Sequence, residues 1–325
     1  MRRQRGVPPL VRFLLKRLAA LAALLVALSF GIFALLYLSP GSVISALLGN
    51  RPRTTLLVHQ LEVEYHLDQS FLAQYWFWLR GAVHLHFGES TLTGLPVTTL
   101  IGKNYGATAF LVVYTFLLTV IIGVVLGVLA AVRRRSLYDR LIVGTSVFAA
   151  SMPAFVTAVL LLYVFSVRFS WFPAFGPGTG FLDRLWHLTL PALALALTIS
   201  AWLLKLTRAT MIEVLDQEYV TFARARGVPR GAVLLTYAFR NACIPVLTAA
   251  GLILGGLVTG AVLVEYTFGL PGLGSLLVSS VEDKDVPVVQ CLALLAAAIV
   301  LLANLAADVL YVLLDPRIRR QRGFL

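Results

Sequence analysis

Few residues in this sequence have the type and spacing of a metal site. His84 and His86 form an HxH pair, and only His59 and His66 lie nearby among the histidines. A structural zinc site takes about four nitrogen or sulfur ligands at defined spacing. The isolated pair therefore favours solvated histidines, and we predict no bound metal.

Nucleotide binding and nucleophilic catalysis also lack their motifs. Gly102 and Lys103 end a string that has Val97 where the first glycine of the phosphate-binding GxxxxGK[ST] loop belongs. Neither the GxSxG string of a nucleophile elbow nor the HExxH string of a metalloprotease occurs. We therefore predict no catalytic residues, no cofactor bound by this chain and no enzyme activity. Any energy from ATP would come from a partner.

The elements that must position a functional residue are hydrophobic helices. The 325 residues are 59% hydrophobic and 13% charged, with a mean hydropathy of +0.88, whereas soluble domains are about 25% charged. Charge-free windows long enough to cross about 30 Å of hydrocarbon recur along the chain. They predict six transmembrane helices, at about 13–38, 104–132, 141–167, 186–208, 243–264 and 287–314. We predict an all-α membrane protein in which residues 1–325 form a single transmembrane domain.

The distribution of charge predicts the orientation of these helices. Of 27 basic residues, those at the termini and in the second and fourth loops outnumber those in the opposite loops by about three to one. Both termini are therefore expected on the cytoplasmic side. The net charge of +12 then reflects topology and attraction to anionic lipid rather than binding of nucleic acid.

Ionisable residues inside the membrane would indicate a proton-driven carrier, because each is costly unless it is paired or hydrated. Glu265 ends the fifth helix, Asp308 lies near the inner end of the sixth, and Lys205 can reach the cytoplasmic face. They form no series across the membrane. This argues against a self-sufficient secondary carrier, which stays an alternative together with a channel or a membrane scaffold.

Two long connections carry amphipathic segments. In the outer loop, residues 40–103, the stretch Gln69–Val83 has helical spacing and aromatic residues that suit a helix at the lipid headgroups, or equally one that caps the bundle. In the cytoplasmic loop, residues 209–241, Tyr219, Phe222, Ala223 and Arg226 fall at helical spacing before a break at Gly227. Periodicity alone favours a basic helix resting on anionic lipid there.

Four strings in order carry a family resemblance. They are HLDQSFLAQYWFWLRG, EYVTFARARGVPRGAVLLTYAFRNACIPVLT, VEYTFGLPGLGSLL and NLAADVLYVLLDPRIR. Over about Leu14–Arg319 they resemble the permease subunits of bacterial ATP-binding-cassette importers for dipeptides, oligopeptides and nickel. The resemblance implies the type I importer permease fold, with a cytoplasmic coupling helix.

The resemblance also implies roles for particular residues. The second string is similar to the segment that docks on the ATPase, which implies ATPase coupling by Tyr219, Thr221, Ala223, Arg224, Ala225 and Gly227. The general EAA pattern of importers is only partly present, since Thr221, Phe222 and Ala223 stand at its first three positions. Residues proposed for an outer loop or gate are Glu265, Pro271, Gly272 and Gly274.

The same resemblance implies partners and a location. The expected partners are a second homologous permease, two ATPase subunits or domains that bind ATP and Mg²⁺, an extracellular or periplasmic substrate-binding protein, and membrane lipid. The expected location is the bacterial inner membrane, with several crossings, and the mechanism is alternating access. Di- or oligopeptides are the expected substrates, with nickel or another small solute as the alternative.

Overall fold

A computed structural model describes residues 9–38, 43–48 and 53–314, and within them the regular elements are helical. The helices are α1 (Pro9–Leu38), α2 (Val43–Leu48), α3 (Thr55–Glu64), α4 (Phe71–Val83), α5 (Val97–Val132), α6 (Leu137–Ser151), α7 (Ala154–Leu161), α8 (Gly180–Leu215), α9 (Glu218–Ala225), α10 (Arg230–Ala232), α11 (Arg240–Thr267), α12 (Leu273–Glu282) and α13 (Val286–Leu314). Two π-helical segments, Leu162–Arg168 and Val233–Phe239, continue α7 and α10. The all-α prediction is confirmed.

Within the described residues, five helical stretches are long and apolar enough to cross a membrane, and the pair α6 and α7 makes up to a sixth. This pair bends by 103°, although the sequence predicted one helix over 141–167. The break lies at Met152, whose backbone is extended, before Pro153. A residue that precedes proline is driven out of the α region by steric clash, which explains the bend.

The helices run further than their charge-free windows. The predicted span 186–208 lies within α8, which extends to Leu215, and the predicted span 243–264 lies within α11. Absence of charge marks the part of a helix suited to hydrocarbon, whereas the helical backbone continues past the window through Arg208 and Glu213. The connection predicted over 209–241 is therefore shorter than expected.

The chain divides into two compact units where the sequence suggested one domain. The first unit comprises residues 1–109 and 270–301. In it, aromatic rings on α4 pack on rings of α1: Phe71 and Tyr75 both contact Phe30, and Trp78 contacts Phe33. The predicted amphipathic helix of the outer loop is thus present, and its aromatic face covers α1.

The second unit comprises residues 110–269 and 302–325. Its centre is α8, which packs against α6, α7 and α11. Gly123 and Gly127 let α5 approach α8, since a Cβ atom at Gly127 would lie 2.6 Å from the Cβ of Thr207. The GxxxG spacing of these two glycines therefore marks close helix packing within this chain.

Candidate functional site

The short helix α9 ends in a turn closed by its own backbone. Gly227 has φ of +76°, and its N–H donates to the carbonyl of Arg224 at 3.0 Å, while the N–H of Val228 donates to that of Ala223 at 3.2 Å. This pair of bonds is the Schellman motif, whose left-handed position favours glycine. Pro229 follows and prevents the helix from continuing. Gly227 and Pro229 therefore determine where α9 ends.

One face of α9 is buried within the second unit. Val220 and Ala223 pack with Val233 at the start of the π-helical segment, and Leu215 and Val228 lie against them. The helical spacing of the sequence grouped Tyr219, Phe222, Ala223 and Arg226 on one face, and of these four only Ala223 is buried. The buried stripe is Val220 and Ala223, and it packs against the segment that follows α9.

The other face of α9 is exposed. The predicted coupling residues Tyr219, Thr221, Arg224, Ala225 and Gly227 are all exposed. Ala223 is the exception, since it lies on the buried face of α9, where it packs against Val233 instead of offering surface to a partner. Phe222, which the resemblance did not single out, is 66% exposed. A solvent-exposed aromatic side chain beside arginines is typical of a protein–protein interface.

A buried apolar cluster supports α9 from below. Ala131 at the end of α5, Met211 near the end of α8, and Ala238 and Ala242 around the start of α11 are all buried together. Small residues let these backbones lie close. The helix ends that lead into and out of α9 therefore form one packed base.

Two ion pairs fasten the same base, and sequence patterns gave no sign of either. The carboxylate of Asp139 accepts hydrogen bonds from Nε and Nη2 of Arg208 at 2.6 and 2.7 Å, and one from the N–H of Arg135 at 2.9 Å. Arg134 likewise donates to both carboxylate oxygens of Asp216. The partners are far apart in the chain, so only the fold brings them together.

A basic groove of about 810 Å³ lies beside α9. Its walls include Arg224, the turn residues Gly227 and Pro229, and Arg230. Arg226 adds a further exposed charge next to the turn. An acidic protein surface would complement this groove.

The predicted outer-gate residues fall in different units. Glu265 belongs to the second unit and is fully buried near the end of α11. Pro271, Gly272 and Gly274 belong to the first unit, at the start of α12. The sequence predicted an outer loop or gate there but did not predict α12.

The first unit holds α12 at both ends. The N–H of Leu273 donates to Oγ1 of Thr108 on α5 at 2.7 Å. After α12, the buried carboxylate of Asp285 accepts from the hydroxyl of Ser90 and from the N–H of Thr91 at 3.0 Å. The hairpin around Ser90 is thereby tied to the turn between α12 and α13.

Comparison with known families decides the class of protein. Residues 123–320 match the family described as binding-protein-dependent transport system inner membrane component, and residues 10–94 match its N-terminal family. The chain belongs to this transporter family. It is therefore a multi-pass inner membrane protein and the permease subunit of an importer.

Individual relatives cover nearly the whole permease. A protein of Brucella suis biovar 1 named as a peptide permease is 38% identical over 317 residues, covering 95% of this chain and 99% of that protein. A glutathione transport system permease protein of Escherichia coli O1:K1 is 36% identical over 310 residues, covering 95% and 99%. A crystal structure of an amino acid ABC transporter with histidines matches with TM-score 0.47 and 22% identity, over 68% of this chain and 94% of that chain.

Proposed function

We propose that this permease forms half of the translocation path of an ATP-driven importer for di- or oligopeptides. The similarity over nearly the full length to relatives named for peptide and glutathione transport carries the substrate class, since glutathione is itself a short peptide. In this proposal both termini are cytoplasmic, and a second permease supplies the other half of the path. A substrate-binding protein delivers the peptide from outside.

We further propose that α9 docks on the ATPase subunits, which bind ATP and Mg²⁺ in place of this chain. Support comes from the exposed face of α9 with Phe222 and Ala225, and from the packed base beneath it. A rigid base passes a displacement of α9 to α8 and α11 instead of absorbing it, because packed interiors transmit strain. Closure of the ATPases would then move the helices between inward and outward states.

Reconstitution tests the transport proposal directly. The permease, its co-purifying subunits and the binding protein from the same operon would be placed in liposomes, and uptake of radiolabelled dipeptides and of Ni²⁺ would be measured with and without ATP. We expect ATP-dependent uptake of peptide. ATP-dependent uptake of Ni²⁺ alone would identify the alternative substrate, and flux without ATP would identify a secondary carrier.

Docking is tested separately with substitutions on the exposed face. Phe222→Ala and Ala225→Trp should lower recovery of the ATPase subunits by roughly tenfold or more, as at an interface hot spot. Glu213→Arg, on the exposed last turn of α8, is the matched control and should retain them. Equal recovery from all variants would remove the docking assignment.

A further inference from the structure

A groove of about 250 Å³ in the first unit lies beside the beginning of α13, against α1 and the end of α12. Its walls are largely apolar and include Ile32, Leu35, Leu36, Val289 and Ala293. Both α1 and α13 carry candidate membrane spans, and only 11% of the most apolar window of α1 is buried within the chain. The groove therefore lies along two helices that are long and apolar enough to cross a membrane, and most of α1 is left uncovered by this chain.

A buried polar group lies within this apolar lining. Gln290 borders the groove and is 7% exposed, and its Nε2 has no hydrogen-bond partner among the residues that the structure describes. Buried amide donors are nearly always paired in folded proteins, because an unmet one keeps its full desolvation penalty. An occupant of the groove that brings an acceptor oxygen would satisfy it.

The side chain of Lys284 places a positive charge at the polar end of the groove. Lys284 is exposed in the turn before α13, and it lines the groove together with the buried Ser280. From Val286 to Ala293 the helix rises about 10 Å, at about 1.5 Å per residue. The order along the groove is thus an ammonium at the helix end, an amide donor about one turn in, and apolar walls throughout.

This order matches the parts of a phospholipid. We propose that the groove binds one phospholipid, with its phosphate at Lys284, an ester carbonyl oxygen at Nε2 of Gln290 and part of one acyl chain along the apolar walls. The proposal does not depend on which solute the importer carries.

The neighbouring charges indicate the headgroup. Glu282, the last residue of α12, and Asp283, in the turn that follows, precede Lys284 in the chain, while the carboxylate of Asp285 is buried against Ser90 and Thr91. A wholly anionic headgroup at Lys284 would have the carboxylate of the adjacent Asp283 as a like-charged neighbour. A zwitterionic phosphoethanolamine presents both charges, so we assign phosphatidylethanolamine as the occupant.

Native mass spectrometry of the purified transporter complex tests this site. After delipidation in detergent, phosphatidylethanolamine and phosphatidylglycerol would be added back in separate titrations. We expect one tightly retained phosphatidylethanolamine per copy of this chain. Lys284→Ala should weaken it by roughly tenfold, the loss expected for one charge-assisted hydrogen bond, and Ala293→Trp should abolish it by filling the groove.

The matched control is Ala298→Trp, the same change on α13 at a half-buried alanine outside the lining, which should retain the lipid. Because Lys284 is exposed, its variant reports on binding even if Ala293→Trp impairs folding. Equal retention by all variants, or none by the wild type, would overturn the site. Tighter binding of phosphatidylglycerol would overturn the headgroup assignment. Cross-linking of Leu35→Cys to another subunit, rather than to a photoreactive phosphatidylethanolamine, would show that protein occupies the groove.

Discussion

Replacing Asp139 by asparagine removes the negative charge that holds Arg208 of α8 in place. Asp139 is 4% exposed, and its carboxylate takes two hydrogen bonds from Arg208 and one from the Arg135 backbone. Asparagine keeps one oxygen, which can still accept from the backbone N–H. The guanidinium then loses its charged partner while it stays partly buried.

The size of the effect follows from burial. Removing one partner of a fully buried ion pair costs about 3–5 kcal/mol, because the other charge is left uncompensated. The Arg208 side chain keeps 31% exposure, so water recovers part of its charge. We therefore expect a loss of about 2 kcal/mol in the free energy of unfolding, between the buried and the exposed cases.

The second ion pair supplies the control for this prediction. Asp216→Asn makes the same chemical change at the pair with Arg134, whose side chains are 49% and 53% exposed. Exposed pairs contribute about 0–1 kcal/mol. In thermal unfolding of the purified complex, Asp139→Asn should lower Tm by about 5 °C and Asp216→Asn by about 2 °C or less. Equal shifts would refute the reasoning that burial sets the cost.

Three further substitutions test other contacts. Gly127→Ala should lower the free energy of unfolding by about 1–3 kcal/mol through overpacking against Thr207. Gly106→Ala in the same helix meets open space and should be neutral or stabilising. Thermal unfolding that ranks the two variants the other way would contradict the packing. Gly227→Ala should lower the free energy of unfolding by about 1 kcal/mol, because the turn is left-handed there, and should also lower the peptide uptake per ATP hydrolysed. Gly231→Ala should change neither quantity. Unchanged uptake per ATP in both variants would argue against a role for the turn. Asp285→Asn should raise the rate of amide hydrogen exchange in residues 88–96 by roughly tenfold, because the hairpin around Ser90 loses its contact with Asp285. An unaltered rate would show that this contact does not hold the hairpin.

Local signals in the sequence predicted the position of α9 but not its orientation. The break at Gly227 and Pro229 is a local signal, because the Schellman turn and the proline act on adjacent residues. Which face is buried depends on Val233 and Leu215, which come from other elements, so periodicity grouped Ala223 with the exposed Tyr219, Phe222 and Arg226 instead of with Val220. The ATPase contacts of the exposed residues stay a prediction.

The ion pair of Asp139 with Arg208 has no local signal in the sequence, whereas the bend at Met152 has one that hydropathy does not detect. Asp139 and Arg208 are paired only by the packing of α6 against α8, and no spacing rule joins them. The bend at Met152, in contrast, has a local cause in the following proline, which hydropathy windows ignore. Charge-free windows found the helices that are long and apolar enough to cross a membrane, because hydrocarbon excludes charge over the full length of a span.

The self-closed turn at the end of α9 bears on how a transporter of this kind is assembled. Backbone bonds and the Val220 cluster complete the turn without any other subunit, so a partner that docks there meets a surface that already exists. Little ordering entropy is then lost on association, which favours tight binding from a small contact area. It also means that the order in which subunits are synthesised need not matter for α9, since a newly inserted permease has this helix and its turn already formed.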